Sequence, residues 1–169
     1  MKVPTVHIIA GSTGAGKSTY SDALCGRTGA VRFSIDEWMG KLFWMDSPQP
    51  IRYEWTIERI NRCEAMIFTV VRDLARLGIS SVLDLGFTKA DHRAKFFDLA
   101  KAESLPLRLH WIDVPVEVRW QRVMQRNEQR GKTFVMEVTG DMFDFMESIW
   151  EAPTPDEMAT ANGVHVRPQ

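Results

Sequence analysis

The sequence is poor in the residues that stabilise secreted or membrane proteins. Its 169 residues include only two cysteines, Cys25 and Cys63, which lack metal-ligand spacing. No apolar run is long enough to cross a bilayer, and no signal-peptide pattern is present. Lys and Arg total 21 against 22 Asp and Glu, so no overall basic charge attracts nucleic acids or membranes. We therefore expect a reduced, cytoplasmic monomer or homodimer without a membrane or nucleic-acid partner.

Predicted strands and helices alternate along the chain. Apolar runs of strand length predict strands at residues 5–10, 30–34, 80–85, 107–113 and 163–166. Helical spacing of apolar residues predicts helices at 18–24, 57–77, 88–103, 115–130 and within 134–150. This order predicts an α/β fold with three layers, in which helices cover both faces of a five-stranded, mostly parallel sheet. The length is that of one domain, which we place at 1–169.

Three local patterns refine these elements. Thr88 and Asp91 have the spacing of a capping box at a helix start. Gly78 follows the longest predicted helix at the position where glycine commonly ends helices. The segment 40–50 contains Pro, Met and Trp without periodicity, which predicts a loop or a short lid.

The most specific motif lies between the first predicted strand and helix. Its sequence GSTGAGKS matches the phosphate-binding loop G-x-x-x-x-G-K-[ST] at every fixed position. A glycine-rich turn with an incidental lysine would not require a strand before it and a helix after it. In such a loop Lys17 reaches the β- and γ-phosphates and Ser18 coordinates Mg²⁺. We expect the nucleotide to be bound by Gly11, Ser12, Thr13, Gly14, Ala15, Gly16, Lys17, Ser18 and Thr19.

Three aspartates end predicted strands at the sheet edge where ligands of such folds bind, namely Asp36, Asp84 and Asp113. Acids beside a phosphate site are typical of enzymes that use Mg²⁺ and a nucleotide. The carboxylate of Asp36 could accept the proton of an acceptor hydroxyl, or align that hydroxyl with the γ-phosphate. An N-cap role is the alternative for Asp36, and the two roles can coexist.

Two of these acids are candidates to hold Mg²⁺. Asp84 ends the apolar run Val82-Leu83, the setting in which P-loop proteins place a magnesium-binding acid. Asp113 ends the next strand in the same way. We favour Asp84, because Gly86 beside it lets a ligand approach closely and Asp113 can instead cap the following helix.

A cluster of arginines follows the fourth predicted strand. The spacing of 3, 4 and 4 places them on one face of a helix, at Arg119, Arg122, Arg126 and Arg130. A solvated basic face is one interpretation. Beside a phosphate-binding loop we favour a lid at about 115–135 that closes on the nucleotide, whose arginines neutralise transition-state charge.

Aromatic residues crowd the segment after Asp36. They are placed to form the wall of a pocket for a flat or amphipathic acceptor, at Trp38, Trp44, Tyr53 and Trp55. Packing in the core beneath a long loop is the other interpretation.

Several motifs of the chain occur together in one family. They are the phosphate-binding loop, Asp36, Val82-Leu83-Asp84, Arg93, the segment Arg122-Val-Met-Gln-Arg126-Asn127 and the acidic, proline-containing segment 151–157. With them the chain resembles small P-loop kinases of the AAA-type ATP-binding domain family, which is related to zeta toxins, chloramphenicol phosphotransferase and polynucleotide kinases. The resemblance implies strand order 2-3-1-4-5, ATP and Mg²⁺, a hydroxyl acceptor, Lys17 and Ser18 on the phosphates, Asp36 as base and Arg122 or Arg126 from the lid. We add Arg93 to the acceptor pocket.

One difference from the family pattern narrows the range of possible acceptors. Polynucleotide kinases carry an arginine three residues after the catalytic aspartate, and this chain has Met39 there. We therefore expect a kinase that phosphorylates a hydroxyl of a small molecule. The alternatives are a nucleotide-sugar or polynucleotide kinase, and an ATP-gated binding module without turnover. ATP is expected rather than GTP, because no Asn-Lys-x-Asp segment follows the fourth predicted strand.

Overall fold

Five parallel strands form the centre of the molecule. The computed structural model describes residues 3–131, 134 and 136–167. The strands are β1 (Val6–Ala10), β2 (Val31–Ser34), β3 (Ser81–Asp84), β4 (Leu107–Ile112) and β5 (Val164–Val166). Their order in the sheet is β2-β3-β1-β4-β5, which confirms the expected order 2-3-1-4-5.

The position of β1 explains its composition. It pairs in register with β3 through Val6 and Ser81 on one side, and with β4 through Val6 and Leu107 on the other. All five residues of β1 are buried. A strand covered on both faces is mostly apolar, because neither face meets water. Its one polar residue, His7, has a hydrogen-bond partner in His110 at 3.0 Å.

Helices cover both faces of this sheet. The helices with eight or more residues are α1 (Lys17–Thr28), α2 (Ile35–Leu42), α3 (Tyr53–Arg76), α4 (Ala90–Ala102), α5 (Val116–Gln129) and α6 (Gly140–Ile149). The short helix α7 (Pro155–Thr160) precedes β5. None of the described helices is long and apolar enough to cross a membrane.

Two local predictions differ from the structure, and one short helix was not predicted. Residues 40–42 belong to α2, and a 3₁₀ turn follows at Trp44–Asp46, so the predicted loop is partly helical. The capping box at Thr88 is wrong, because α4 has Lys89 at its N-cap without a side-chain bond. A capping box is instead formed by Thr154 and Glu157 at the start of α7, a helix that the apolar pattern did not predict.

Apolar residues of β1 point alternately into two cores. Val6, Ile8 and Ala10 join a large cluster with residues of α2, α3 and α4. Ile9 joins a smaller cluster that includes Leu24 of α1. The rigid sheet between these cores fixes the strand ends at which the candidate site lies.

Candidate active site

The loop between β1 and α1 has the backbone geometry of an anion site. Gly14 and Gly16 have positive φ angles of 79° and 90°, which side-chain-bearing residues rarely adopt. The Ala15 N–H donates to the Ser12 carbonyl oxygen at 3.1 Å and closes the turn. Gly16 is exposed at the start of α1, so the positive end of this helix is accessible to a phosphate.

Lys17 lies half-buried beside this loop. Its Nζ donates to the Ser12 carbonyl oxygen at 3.2 Å. Desolvation lowers the pKa of Lys17, and the nearby carboxylates of Asp84 and Asp36 oppose this shift. An anionic ligand in the loop would stabilise the charged ammonium in the same way.

The two candidate magnesium acids have different surroundings. The Ser18 hydroxyl donates to Asp84 Oδ2 at 2.9 Å, and Arg32 Nη2 donates to the same oxygen at 3.0 Å. Asp113 instead contacts His165 of β5 at 2.8 Å. Because Ser18 is the hydroxyl that the loop motif places on Mg²⁺, this geometry favours Asp84 over Asp113.

Asp36 is the second residue of α2. The N-cap of this helix is Ser34, whose hydroxyl accepts from the Glu37 N–H, so Asp36 does not have the N-cap role. The Asp36 side chain is accessible to solvent. Desolvation by the surrounding protein raises the pKa of its carboxyl, and the positive charge of Lys17 opposes the rise. Asp36 is thus an exposed residue whose carboxyl is partly desolvated and lies within the electrostatic influence of Lys17.

The four arginines of α5 have different environments. Arg119 is buried and pairs with Glu147 at 2.6 Å. Arg122 Nη1 donates to the Ala15 carbonyl oxygen of the loop at 3.3 Å. Arg126 is close enough to affect the pKa of both Lys17 and Asp36, and Arg130 forms the C-cap of the helix. The arrangement leaves Arg122 and Arg126 at the phosphate side. Of the predicted lid at 115–135, residues 132, 133 and 135 lie outside the described residues.

The aromatic residues after Asp36 differ in their packing and exposure. The ring centroids of Trp44 and Trp55 are 5.9 Å apart, and both rings pack half-buried against the larger core. Trp38 also packs there, with its ring 6.3 Å from that of Phe33. Tyr53 is 71% exposed. These residues therefore combine core packing with a surface-facing aromatic edge.

Arg93 does not belong to an acceptor pocket, which corrects our expectation. Its side chain has no exposed surface. Its guanidinium binds the Glu157 carboxylate at 2.7 and 3.1 Å and donates to the carbonyl oxygens of Phe87 and Glu151. With these partners Arg93 joins α4 to the segment before β5.

Two residues near the loop were not singled out from the sequence. Arg32 contacts Asp84, and Glu147 contacts the loop residue Ser12 across 135 positions of sequence. Arg32 lies within a short strand and Glu147 within an amphipathic helix, so neither interrupts the local pattern. No local sequence signal separates them from ordinary surface charges.

Comparison with known proteins agrees with this fold. A sugar kinase from Janibacter sp. superimposes with a TM-score of 0.66 and 19% identity, over 97% of this chain and 85% of the other. Kti12 from Chaetomium thermophilum, solved with ADP-AlF3, gives 0.72 and 14%, over 96% and 88%. The Mycobacterium tuberculosis APS kinase CysC, solved with AMPPNP and APS, gives 0.64 and 16%, over 99% and 90%.

The family comparison covers most of the sequence. A search of curated proteins finds no match. The model of the family described as AAA domain matches residues 6–149, which include the phosphate-binding loop and α5. The chain therefore belongs to the AAA domain family and has the fold of small P-loop kinases.

Proposed function

We propose that the chain is a kinase that transfers the γ-phosphoryl group of ATP to a hydroxyl group of a small molecule. One observation carries this proposal: Asp36 follows the end of β2, whose last residue Ser34 pairs in register with Asp84, the acid that accepts from Ser18 of the loop. A phosphate-binding loop alone would suit a nucleotide switch equally well. An accessible acid next to that loop is what an acceptor hydroxyl requires.

The donor site would hold the ATP phosphates over the loop. Loop N–H groups and the start of α1 would bind the β-phosphate, with Lys17 between the β- and γ-phosphates. The desolvation that lowers the pKa of Lys17 favours a bound anion, because phosphate charge would offset the cost of the buried ammonium. The solved neighbours with AMPPNP or ADP-AlF3 support a nucleotide as a ligand of this fold.

Mg²⁺ fits the donor groups beside the loop. The Ser18 hydroxyl and the Asp84 carboxylate are hard oxygen donors of the kind Mg²⁺ prefers, and they lie 2.9 Å apart. When bound, the ion would neutralise phosphate charge. Arg32 donates to Asp84 at 3.0 Å and holds the carboxylate toward Ser18. Ser18 and Asp84 would hold the ion at the end of β3.

The transfer needs a base on the acceptor side. The acceptor oxygen would attack the γ-phosphorus, the bond to the β-phosphate oxygen would break, and ADP would leave. The hydroxyl proton would pass to the Asp36 carboxylate. A pKa raised by desolvation makes this carboxylate a better proton acceptor than an ordinary aspartate.

Two arginines of α5 would stabilise the charge that develops on the transferring group. Arg122 contacts the loop through the Ala15 carbonyl oxygen. Arg126 is near enough to influence the pKa of both Lys17 and Asp36, the residues that would lie on either side of the γ-phosphate. Fixed cations at this position act most strongly when phosphate charge spreads in the transition state.

The acceptor side favours a small amphipathic molecule. Trp44, Trp55 and the exposed Tyr53 present an aromatic edge that can stack with flat or apolar groups. Met39, at the position where polynucleotide kinases place an arginine, is buried in the core and has no charge for an acceptor phosphate.

The test measures phosphoryl transfer by the purified chain with Mg²⁺ and ATP. Pools of hydroxyl-bearing metabolites, antibiotics, nucleotide sugars and oligonucleotides with free 5′-hydroxyl ends serve as acceptors, and mass spectrometry detects phosphorylated products. Asp36→Asn should abolish product formation and retain ATP binding. The matched control is Asp98→Asn, which should keep wild-type turnover. Asp98 is an exposed residue in the second half of α4.

Different results would separate the candidate functions. A phosphorylated product from the nucleotide-sugar or oligonucleotide pool would show that the acceptor belongs to that class and not to the other small molecules. ATP binding without product from any pool would contradict the kinase and favour an ATP-gated binding module. Wild-type turnover in Asp36→Asn would contradict the role of Asp36.

A further inference from the structure

Helix α6 contacts the phosphate-binding loop through one carboxylate. Glu147 accepts a hydrogen bond from the Ser12 hydroxyl. It also accepts two bonds from the Arg119 guanidinium, at 2.6 and 2.7 Å. Ser12 is 7% exposed and Arg119 is 6% exposed, whereas the Glu147 side chain is 26% exposed, so these bonds are partly shielded from water. Paired bonds between arginine and carboxylate fix orientation as well as distance.

Arg119 extends the contact to the next loop residue. Its Nη1 donates to the Thr13 carbonyl oxygen at 3.2 Å, and its Nε donates to the Val114 carbonyl oxygen at 2.9 Å. The guanidinium therefore joins the end of β4, the loop and α6. The Arg119 hydrogen bonds hold the pKa of Glu147 below its usual value, so the carboxylate is charged at neutral pH.

The location of these bonds within the loop gives them a consequence for ligand binding. Ser12 and Thr13 are the residues over which the chain leaves β1 and turns toward Gly14. The loop binds a phosphate through N–H groups that must all point inward together. Fixing two of its residues beforehand reduces the conformational entropy that ATP binding would have to overcome.

We propose that Glu147 is a positioning residue that holds the phosphate-binding loop, through Ser12 and Arg119, in the conformation that binds ATP. This inference rests on the proposed function, because it takes ATP as the ligand of the loop. It assigns to α6 a role in nucleotide affinity, although the helix follows the predicted arginine lid and carries no motif residue.

The packing of α6 allows Glu147 to be changed without releasing the helix. Phe143 is buried, with its ring 5.1 Å from that of Trp120 on α5. The Thr139 hydroxyl caps the first turn by accepting from the Met142 N–H. Asn127 binds the main chain of Val138 at 2.8 and 3.1 Å, just before α6. These contacts remain in a Glu147→Gln variant.

The experiment is calorimetric titration of MgATP into four proteins: the wild type, Glu147→Gln, Ser12→Ala and the double variant. Each single change should weaken ATP binding by roughly 10-fold, the usual order for loss of a hydrogen bond to a charged group. The double variant should bind no more weakly than the weaker-binding single variant, because both changes act on the same contact, which Ser12→Ala removes and the neutral amide of Glu147→Gln weakens. The control is Asp144→Asn, which removes an exposed carboxylate from α6 and should leave the affinity unchanged.

Stability must be measured on the same samples. Ser12→Ala leaves the Arg119–Glu147 pair in place, so its loss of ATP affinity should occur without a comparable loss of thermal stability. Wild-type affinity in Glu147→Gln, or losses that multiply in the double variant, would overturn the positioning role. Failure of the wild-type chain to bind MgATP would instead overturn the proposed function and the inference that rests on it.

Discussion

Gly14 has no room for a side chain, because the main chain of α5 lies directly against it. A Cβ at this position would lie 2.5 Å from the Arg119 carbonyl oxygen and 3.0 Å from Val123 Cγ2. The residue also has a φ angle of +79°. Gly14→Ala should therefore strain the loop and push α5 away from it.

The size of this effect follows from two contributions. An alanine at positive φ costs about 1–2 kcal/mol. Forcing a methyl group into a packed contact costs a further ~1–3 kcal/mol, and a backbone oxygen cannot move aside as a flexible side chain can. We expect Gly14→Ala to lower the free energy of unfolding by about 2–5 kcal/mol, the sum of these ranges.

Gly29 provides a matched control. It has a φ angle of +73°, and a Cβ there would meet no atom within 4 Å. Gly29→Ala should therefore show only the backbone cost of about 1–2 kcal/mol. Urea unfolding of both variants, followed by tryptophan fluorescence and circular dichroism, measures the difference. Equal losses in the two variants would refute the close approach of α5 to the loop.

Three further outcomes are expected. Arg93→Ala should lower the free energy of unfolding by about 3–5 kcal/mol, because it leaves the Glu157 carboxylate without its buried partner. Arg76→Ala, which breaks an exposed ion pair, should lower it by less than about 1 kcal/mol. Similar losses in the two variants on urea unfolding would contradict this prediction. Burial lowers the pKa of His7 to about 4 and that of His110 to about 3, from the usual 6.5. The stability that these two neutral histidines contribute is therefore complete above pH 6.5 and should be lost as the pH falls toward the lowered values. An unchanged urea midpoint between about pH 7 and pH 5 would argue against this prediction. Arg126→Ala should lower kcat by about 10³-fold with a smaller change in ATP affinity, and equal losses in steady-state kinetics and titration would make this arginine a ground-state binder.

Features whose chemistry is local could be predicted from the sequence. The apolar runs located all five strands to within a residue or two, and the family resemblance supplied the strand order that the structure confirms. The helix starts were harder to predict. Thr88 has the residue type and spacing of a cap, yet α4 begins at Ala90, because capping depends on the backbone angles at the helix start and not on residue type alone.

In the candidate site, too, the features set by local sequence could be predicted and the long-range contacts could not. The segment Gly11–Ser18 determines a phosphate-binding loop by itself, since its glycines, lysine and serine act through their own backbone and side chains. The partners of Asp84 could not be found in this way. Its contact with Ser18 depends on β1 and β3 being neighbours in the sheet, and its contact with Arg32 on β2 being the next strand.

The sequence by itself determined the α/β class, the family and the location of the phosphate-binding loop, because each follows from periodicity or from a contiguous motif. Only the tertiary structure decided what the charged side chains do. Arg93 and Arg119 look like candidate ligand-binding cations in the sequence, but both are buried in ion pairs with distant carboxylates. A buried charge is stable only beside its partner, and the fold determines which residues meet across the sequence.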